Sequence, residues 1–194
     1  MDARLSVARS FLVFPGDDDH KRRRALACGA DAVVLDLEDG VAEAAKDDAR
    51  SRVGALVAEP GAPLRLVRVN DPASPAGARD LAAVERVSVA AVVVPKAGLA
   101  SVDIAAQAGK PVVALVEDAA GVRDAYALAE HPAVVALAIG SADLSAALRL
   151  VADGSGAELA FVRSQLVVAS AAVAVSGRCT PSATSWVAAP HERA

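Results

Sequence analysis

Aromatic side chains are nearly missing from this chain, which has one Trp, one Tyr and three Phe in 194 residues. Hydrophobic residues still make up 54%, so the core must be built from Ala, Val and Leu. Cysteine is as scarce. Cys28 and Cys179 stand far apart without metal-ligand spacing, which points to free thiols in a reduced cytoplasm rather than to a disulfide. There is no basic surplus: 20 Lys and Arg face 24 acids for a net charge of −4, so the basic face of a nucleic-acid binder is lacking. No stretch reaches the ~18 uninterrupted apolar residues of a membrane helix. The start, Met1-Asp2-Ala3-Arg4, lacks the apolar run of a signal peptide. The three histidines stand apart, and no Ser/His/Asp order, nucleophile elbow or phosphate loop is visible. The expectation is a cytoplasmic protein with no nucleic-acid or membrane partner, and one domain over residues 1–194 with a sizeable core.

What the chain does have is a repeat of short, very apolar runs ending at charges. Ala32-Val33-Val34-Leu35 leads into Asp36-Leu37-Glu38-Asp39, residues 64–67 into Arg68, and residues 91–95 into Lys96. Residues 112–116 end at Glu117, and residues 134–139 lead through Gly140-Ser141-Ala142 to Asp143. Steps of 21 to 30 residues suit one strand plus a returning helix. Near-continuous Val/Leu/Ala runs suit strands covered on both faces, as in a parallel sheet. Between them fall expected helices at 41–57, 99–108, 119–130 and 157–175. A further helix, after Asp17-Asp18-Asp19, runs to about Cys28. Pro75 and Gly77 are expected in a loop before a short helix ending near Arg86. With a first strand at 11–14, six βα units are clear, while residues 176–194 read as an irregular tail with at most a poor seventh strand. The expected fold is a TIM-barrel-like (β/α) barrel, incomplete because strands seven and eight are weak or missing.

In such folds ligands bind at the carboxyl ends of the strands, so Glu38, Arg68, Lys96, Glu117 and Asp143 share one rim. Glu117 and Asp143 end successive units and could meet around Mg²⁺, which prefers oxygen ligands and keeps several waters. Alternatively, they cap the helices that follow. Arg68 offers a planar fork for a substrate carboxylate. Asp36, Glu38 and Asp39 form an acidic cluster that touches metal-bound water or orients a basic neighbour such as Lys46 or Arg68, or else serves as a helix cap with one salt bridge. Lys96 is either an anion-binding group or a solvated charge. The basic run His20-Lys21-Arg22-Arg23-Arg24 reads as a solvated helix face.

Several segments, in order, carry a resemblance. They are Arg9-Ser10-Phe11-Leu12-Val13-Phe14-Pro15-Gly16, then residues 29–39, Lys46-Asp47-Asp48-Ala49-Arg50 and Val67-Arg68-Val69-Asn70. Val94-Pro95-Lys96, Ala114-Leu115-Val116-Glu117 and Gly140-Ser141-Ala142-Asp143-Leu144 follow. Together they resemble the citrate lyase beta-subunit-like branch of the HpcH/HpaI aldolase family over about residues 9 to 175. The resemblance implies a TIM-barrel lyase that cleaves or forms a carbon–carbon bond in a 3-hydroxyacyl-CoA such as citryl-, malyl- or citramalyl-CoA, by way of an enolate. It implies that Arg68 holds the substrate, that Glu117 binds metal and substrate, and that Asp143 completes the Mg²⁺ site. Apart from the resemblance, an incomplete barrel with an apolar flank is expected to form a homo-oligomer.

The chain departs from the family pattern at Asp118-Ala119-Ala120-Gly121 and at Ser141-Ala142. The family continues through two further strands and a terminal segment that closes over a neighbour's site, and nothing after Trp186 resembles it. Two rivals therefore stand beside the lyase: a non-catalytic or regulatory subunit that keeps metal and keto-acid binding, and a thioesterase acting on the same acyl-CoA.

Overall fold

The computed structural model describes residues 3–58, 63–151, 154–174, 184–185 and 187–188. Strands β1 (Phe11–Pro15), β2 (Ala32–Asp36), β3 (Leu64–Arg68), β4 (Ala91–Val94), β5 (Val112–Val116) and β6 (Val134–Ile139) pair in sequence order, every neighbour parallel. Helices return the chain between them. They are α1 (Asp19–Ala27), α2 (Lys46–Ser51), α3 (Val53–Ala58), α4 (Pro75–Glu85), α5 (Leu99–Ala106), α6 (Ala119–Arg123) and α7 (Ala125–Glu130), with α8 (Ser141–Ala147) and α9 (Ala160–Ala174) after β6. Among the described residues no helix is long and apolar enough to cross a membrane.

Two dipeptides complete the sheet. β7 (Thr184–Ser185) pairs with β6, and β8 (Val187–Ala188) pairs with β1 at the opposite edge. Only one residue separates them, so the Cα atoms of Ser185 and Val187 lie at most ~7.6 Å apart. Edges of a flat sheet of eight strands would stand roughly 34 Å apart at ~4.8 Å per strand. The sheet therefore curls until its edges share this segment, and the fold is the expected TIM-barrel-like one. The other residues of the expected 176–194 tail lie outside the described residues.

The period of two along each strand sorts side chains into two cores. Val33, Leu35, Val67, Val92, Val94, Ala114, Leu137 and Ile139 face outward into a cluster shared with the helices. Ala32, Val34, Leu64, Leu66, Ala91, Val93, Val113, Leu115 and Ala138 face inward, joined by Leu5 and Ala8. Continuing the inward alternation by one step reaches Asp36 after Val34, Arg68 after Leu66 and Glu117 after Leu115. The barrel interior thus ends in a charged layer at the carboxyl ends of the strands.

Local chemistry corrects several expected helices. The 41–57 helix is broken: a 3-10 turn (Glu43–Ala45) precedes α2, and the chain breaks again at Arg52, with the poor helix former Gly54 two residues on in the first turn of α3. The 119–130 helix breaks at Asp124, a residue whose short side chain competes for local hydrogen bonds and here pairs with Arg123. Pro75 lies not in a loop but at the first position of α4, where its missing N–H costs nothing, with Ser74 capping Gly77 N–H at 3.0 Å. The 157–175 helix starts as a 3-10 turn (Ala157–Leu159) and continues as α9; Val175 lies outside the described residues. The first helix begins as expected, with Asp18 accepting from Lys21 N–H at 2.9 Å.

Leu66 is fully buried in the inner core. Leu66→Ala is expected to lower the unfolding free energy by about 2–5 kcal/mol through lost burial and a residual cavity, read by urea denaturation.

Candidate active site

Parallel register sets Asp36 on β2 opposite Arg68 on β3. With both side chains turned inward they meet edge to edge: Arg68 Nε donates to Asp36 Oδ1 at 2.8 Å and Nη2 donates to Oδ2 at 2.7 Å. Asp36 is 2% exposed and also accepts from the backbone N–H groups of Glu38 (2.9 Å) and Gly40 (2.8 Å). A Cβ at Gly40 would collide with the Asp36 carboxylate, so this turn needs glycine. The fork still carries N–H groups on Nη1 and Nη2 beyond those that Asp36 takes.

Glu38 is the next acid around Arg68, with its Oε2 at 3.0 Å from Nη1 but out of hydrogen-bonding alignment. Burial pushes the Glu38 carboxyl up to about 7; Arg68 opposes this shift, while Asp39, Glu117 and Asp36 add to it. Burial works against the Arg68 charge, but the hydrogen bonds and charge of Asp36, with Glu38 and Glu117, hold the guanidinium above its ordinary value. Asp39 is exposed and reaches the site only through its charge.

Glu117, 4% exposed, follows β5 and accepts the backbone N–H of Lys96 at 3.0 Å. It does not cap α6; the next residue does, Asp118 accepting Gly121 N–H at 2.7 Å. Gly140 lies against Glu117, where any Cβ would overlap its carboxylate. Burial raises the Glu117 carboxyl above the usual range, Lys96 N–H and Arg68 oppose the shift, and Asp143 adds to it. Asp143 lies in the first turn of α8 rather than at a strand end, near enough for its charge to act on Glu117. The exposed Lys96 contributes its backbone rather than its ammonium, in a left-handed conformation (φ 44°) that is uncommon outside glycine.

Asp36, Arg68, Glu38 and Glu117 thus converge, Asp143 borders them and Asp39 stays outside. Sequence reasoning missed a buried layer behind them. Asp80 on α4, with no exposed surface, accepts from Arg50 Nε (2.7 Å), Asn70 N–H (2.8 Å) and Asn70 Nδ2 (2.7 Å). Asn70 Nδ2 also donates to Leu37 O, and Asn70 Oδ1 accepts from Lys46 Nζ at 2.6 Å. The helix pattern around Asp80 gave no signal of a buried acid.

Among the described residues no three His, Cys, Asp or Glu side chains converge as a metal cluster. A carboxylate pair, one of them buried and raised by the other's charge, instead suits a hard divalent cation that keeps its own waters. The repulsion that Asp143 adds to the buried Glu117 carboxylate is what such a cation would relieve.

A family model described as HpcH/HpaI aldolase/citrate lyase matches residues 9–178. The chain is 38% identical over 168 residues to the citrate lyase subunit beta-like protein of Mycobacterium tuberculosis, covering 84% of this chain and 60% of that one. It is 34% identical over 143 residues to a (3S)-malyl-CoA thioesterase of Cereibacter sphaeroides, covering 71% of this chain and 50% of the relative. The chain thus spans half to three-fifths of the length of these curated relatives. A solved citrate lyase beta subunit from M. tuberculosis, complexed with oxaloacetate and magnesium, superposes with a TM-score of 0.75 at 33% identity, over 88% of this chain and 78% of that one.

Glu38 gives a pH test. Its folded-state value near 7 lies above the ordinary 4.5, so the protonated form favours folding and this contribution is lost as pH rises from 4.5 through 7. Unfolding free energies from urea titrations should fall over that window in the parent, and Glu38→Gln should remove that share of the slope.

Proposed function

Because the chain belongs to the HpcH/HpaI aldolase/citrate lyase family, we propose that it is a Mg²⁺-dependent carbon–carbon lyase acting on a 3-hydroxyacyl-CoA of the citryl-, malyl- or citramalyl-CoA type. The observation that carries this reading is the Asp36–Arg68–Glu38 charge system standing beside Glu117 and Asp143 at one end of an apolar barrel. Glu117 and Asp143 would hold the metal, which when bound supplies polarisation of the substrate's hydroxyl and keto oxygens. Arg68, clamped by Asp36 on its Nε edge, presents its remaining N–H groups to the substrate carboxylate. Lys96 fixes Glu117 through its backbone and lends a positive charge at the rim for an anionic group. Breaking the carbon–carbon bond turns the hydroxyl-bearing fragment into a keto acid and leaves the thioester fragment as an enolate that must be protonated. Buried donors around that charge act in a low dielectric, where they are worth most.

The similarity to a malyl-CoA thioesterase supports a second reading, in which the same site delivers water to the thioester carbonyl. A binding subunit without turnover is the third outcome. Self-association and a cytoplasmic setting complete the proposal. The α9 face carries exposed Phe161, Val167 and Val168, and light scattering should give a mass above that of one chain.

Purified protein with Mg²⁺ and each of the three acyl-CoA esters separates the readings. A lyase yields keto acid and acetyl-CoA without free thiol; a thioesterase yields free CoA thiol without keto acid; a binding subunit yields neither. Glu117→Gln and Asp143→Asn should each weaken Mg²⁺ binding at least tenfold by calorimetry, and unchanged binding in both would falsify the assigned metal pair.

A further inference from the structure

Lys46, on the first turn of α2, is 9% exposed, yet its ammonium meets no carboxylate within the described hydrogen bonds. Its three acceptors are Leu37 O (3.0 Å), Glu38 O (3.0 Å) and Asn70 Oδ1 (2.6 Å). An ammonium has three donors, so the set is complete. Burying a charge on neutral oxygens costs desolvation that an apolar side chain of the same length would avoid. A mere filler of this space would need no charge.

The geometry points to what the charge holds. Residues 37–40 form the turn that leaves β2, and Lys46 draws together two successive carbonyls of that turn. The N–H groups of Glu38 and Gly40 face the other way, onto Asp36, and Leu37 N–H donates to Arg68 O at 2.9 Å. On the far side Asn70 is itself fixed. Its Oδ1 must face the ammonium because its Nδ2 donates to Leu37 O and to Asp80, and Asp80 is locked by Arg50. The turn is thus clamped between the Asp36–Arg68 pair and a buried chain running Lys46, Asn70, Asp80, Arg50.

We propose that Lys46 is a positioning residue for the substrate site: by fastening the two carbonyls of the 37–40 turn to Asn70, it holds the Glu38 and Gly40 N–H groups on Asp36 and so fixes the carboxylate that directs the Arg68 guanidinium. This inference rests on the proposed function for the identity of the ligand, but not for the fastening itself. It also separates the two halves of the site. Glu117 and Asp143 stand on other units of the barrel, so the metal pair is independent of Lys46 while the carboxylate-binding half is not.

The test compares the parent with Lys46→Met, which keeps length and removes the ammonium, by two readouts on the full chain. In amide hydrogen exchange, the Glu38 and Gly40 amides should exchange at least tenfold faster in Lys46→Met, while Val34 and Val67 in the strands change less than threefold. A role limited to global stability would accelerate all four together and overturn the proposal. In calorimetry with Mg²⁺ present, affinity for oxaloacetate should fall at least tenfold, with affinity for Mg²⁺ alone changed less than twofold. Equal oxaloacetate affinity in a folded Lys46→Met would also overturn it.

If Lys46→Met does not fold, the same two readouts on Lys46→Gln, which removes the charge and is too short to reach all three acceptors, decide in the same way. A parent that binds no oxaloacetate would count against the proposed function, and the exchange rates alone would then decide on the positioning role.

Discussion

The inward-facing ion pair between Asp36 and Arg68 is the constraint from which the rest of the site follows. Parallel register sets the two residues side by side, and the alternation of each strand turns both into the barrel. Desolvating two charges there is costly, and a well-packed apolar pair would often serve stability as well or better. What the pair contributes is direction. Two hydrogen bonds between planar groups fix the guanidinium in its plane, and the two backbone donors on Asp36 leave that carboxylate no freedom to follow a ligand. A group saturated in this way supports a neighbour rather than reacting itself. The rim acids therefore divide into a holder, Asp36, and groups with spare capacity, Glu38 and Glu117.

Those two differ in how their negative charge is managed. Glu38 lies against Arg68 without hydrogen-bond alignment, so burial wins over the ion pair and its proton is held to near neutral pH. Glu117 receives a backbone N–H and feels the same guanidinium, yet burial and Asp143 still move it in the same direction. A cluster with one buried guanidinium and several acids is short of positive charge by construction. Its acids must either keep protons or share a cation; Glu38 keeps its proton to near neutral pH, and Glu117, which Asp143 repels, is the acid such a cation would relieve.

Much of this was legible in the sequence, for one physical reason. Apolar runs of four to six residues with fixed end points show where strands stop and so which charges share a rim. That reasoning put Glu38, Arg68, Lys96, Glu117 and Asp143 on one rim, with Asp36 and Asp39 in the acidic cluster beside Glu38. It fails wherever a side chain's partner comes from the backbone or from a distant helix. Lys96 was read for its ammonium alone; its peptide N–H, which holds Glu117 from a left-handed backbone conformation, shows only in the structure. Asp80 sits on a helix whose pattern does not announce a buried acid, because its partners Arg50 and Asn70 are 30 and 10 residues away. Helix breaks at Arg52 and Asp124 were lost to the same cause, since apolar periodicity continues across a break. The dipeptide strands β7 and β8 lie below the length at which alternation carries any signal.

The scarcity of aromatics and the manner of closure belong together. A barrel's diameter grows with its number of strands, and its interior must be filled by side chains. Here six full strands and the dipeptides β7 and β8 make the ring. The inner cluster uses Ala32, Ala91, Ala136 and Ala138 between Val and Leu, with Phe11 only packed against it from the side. Larger residues at those alanines would overfill a narrow ring and force its strands apart. Because the charged layer rides on the ends of the same strands, the width set by those small residues also sets how closely Asp36, Arg68 and Glu117 approach one another.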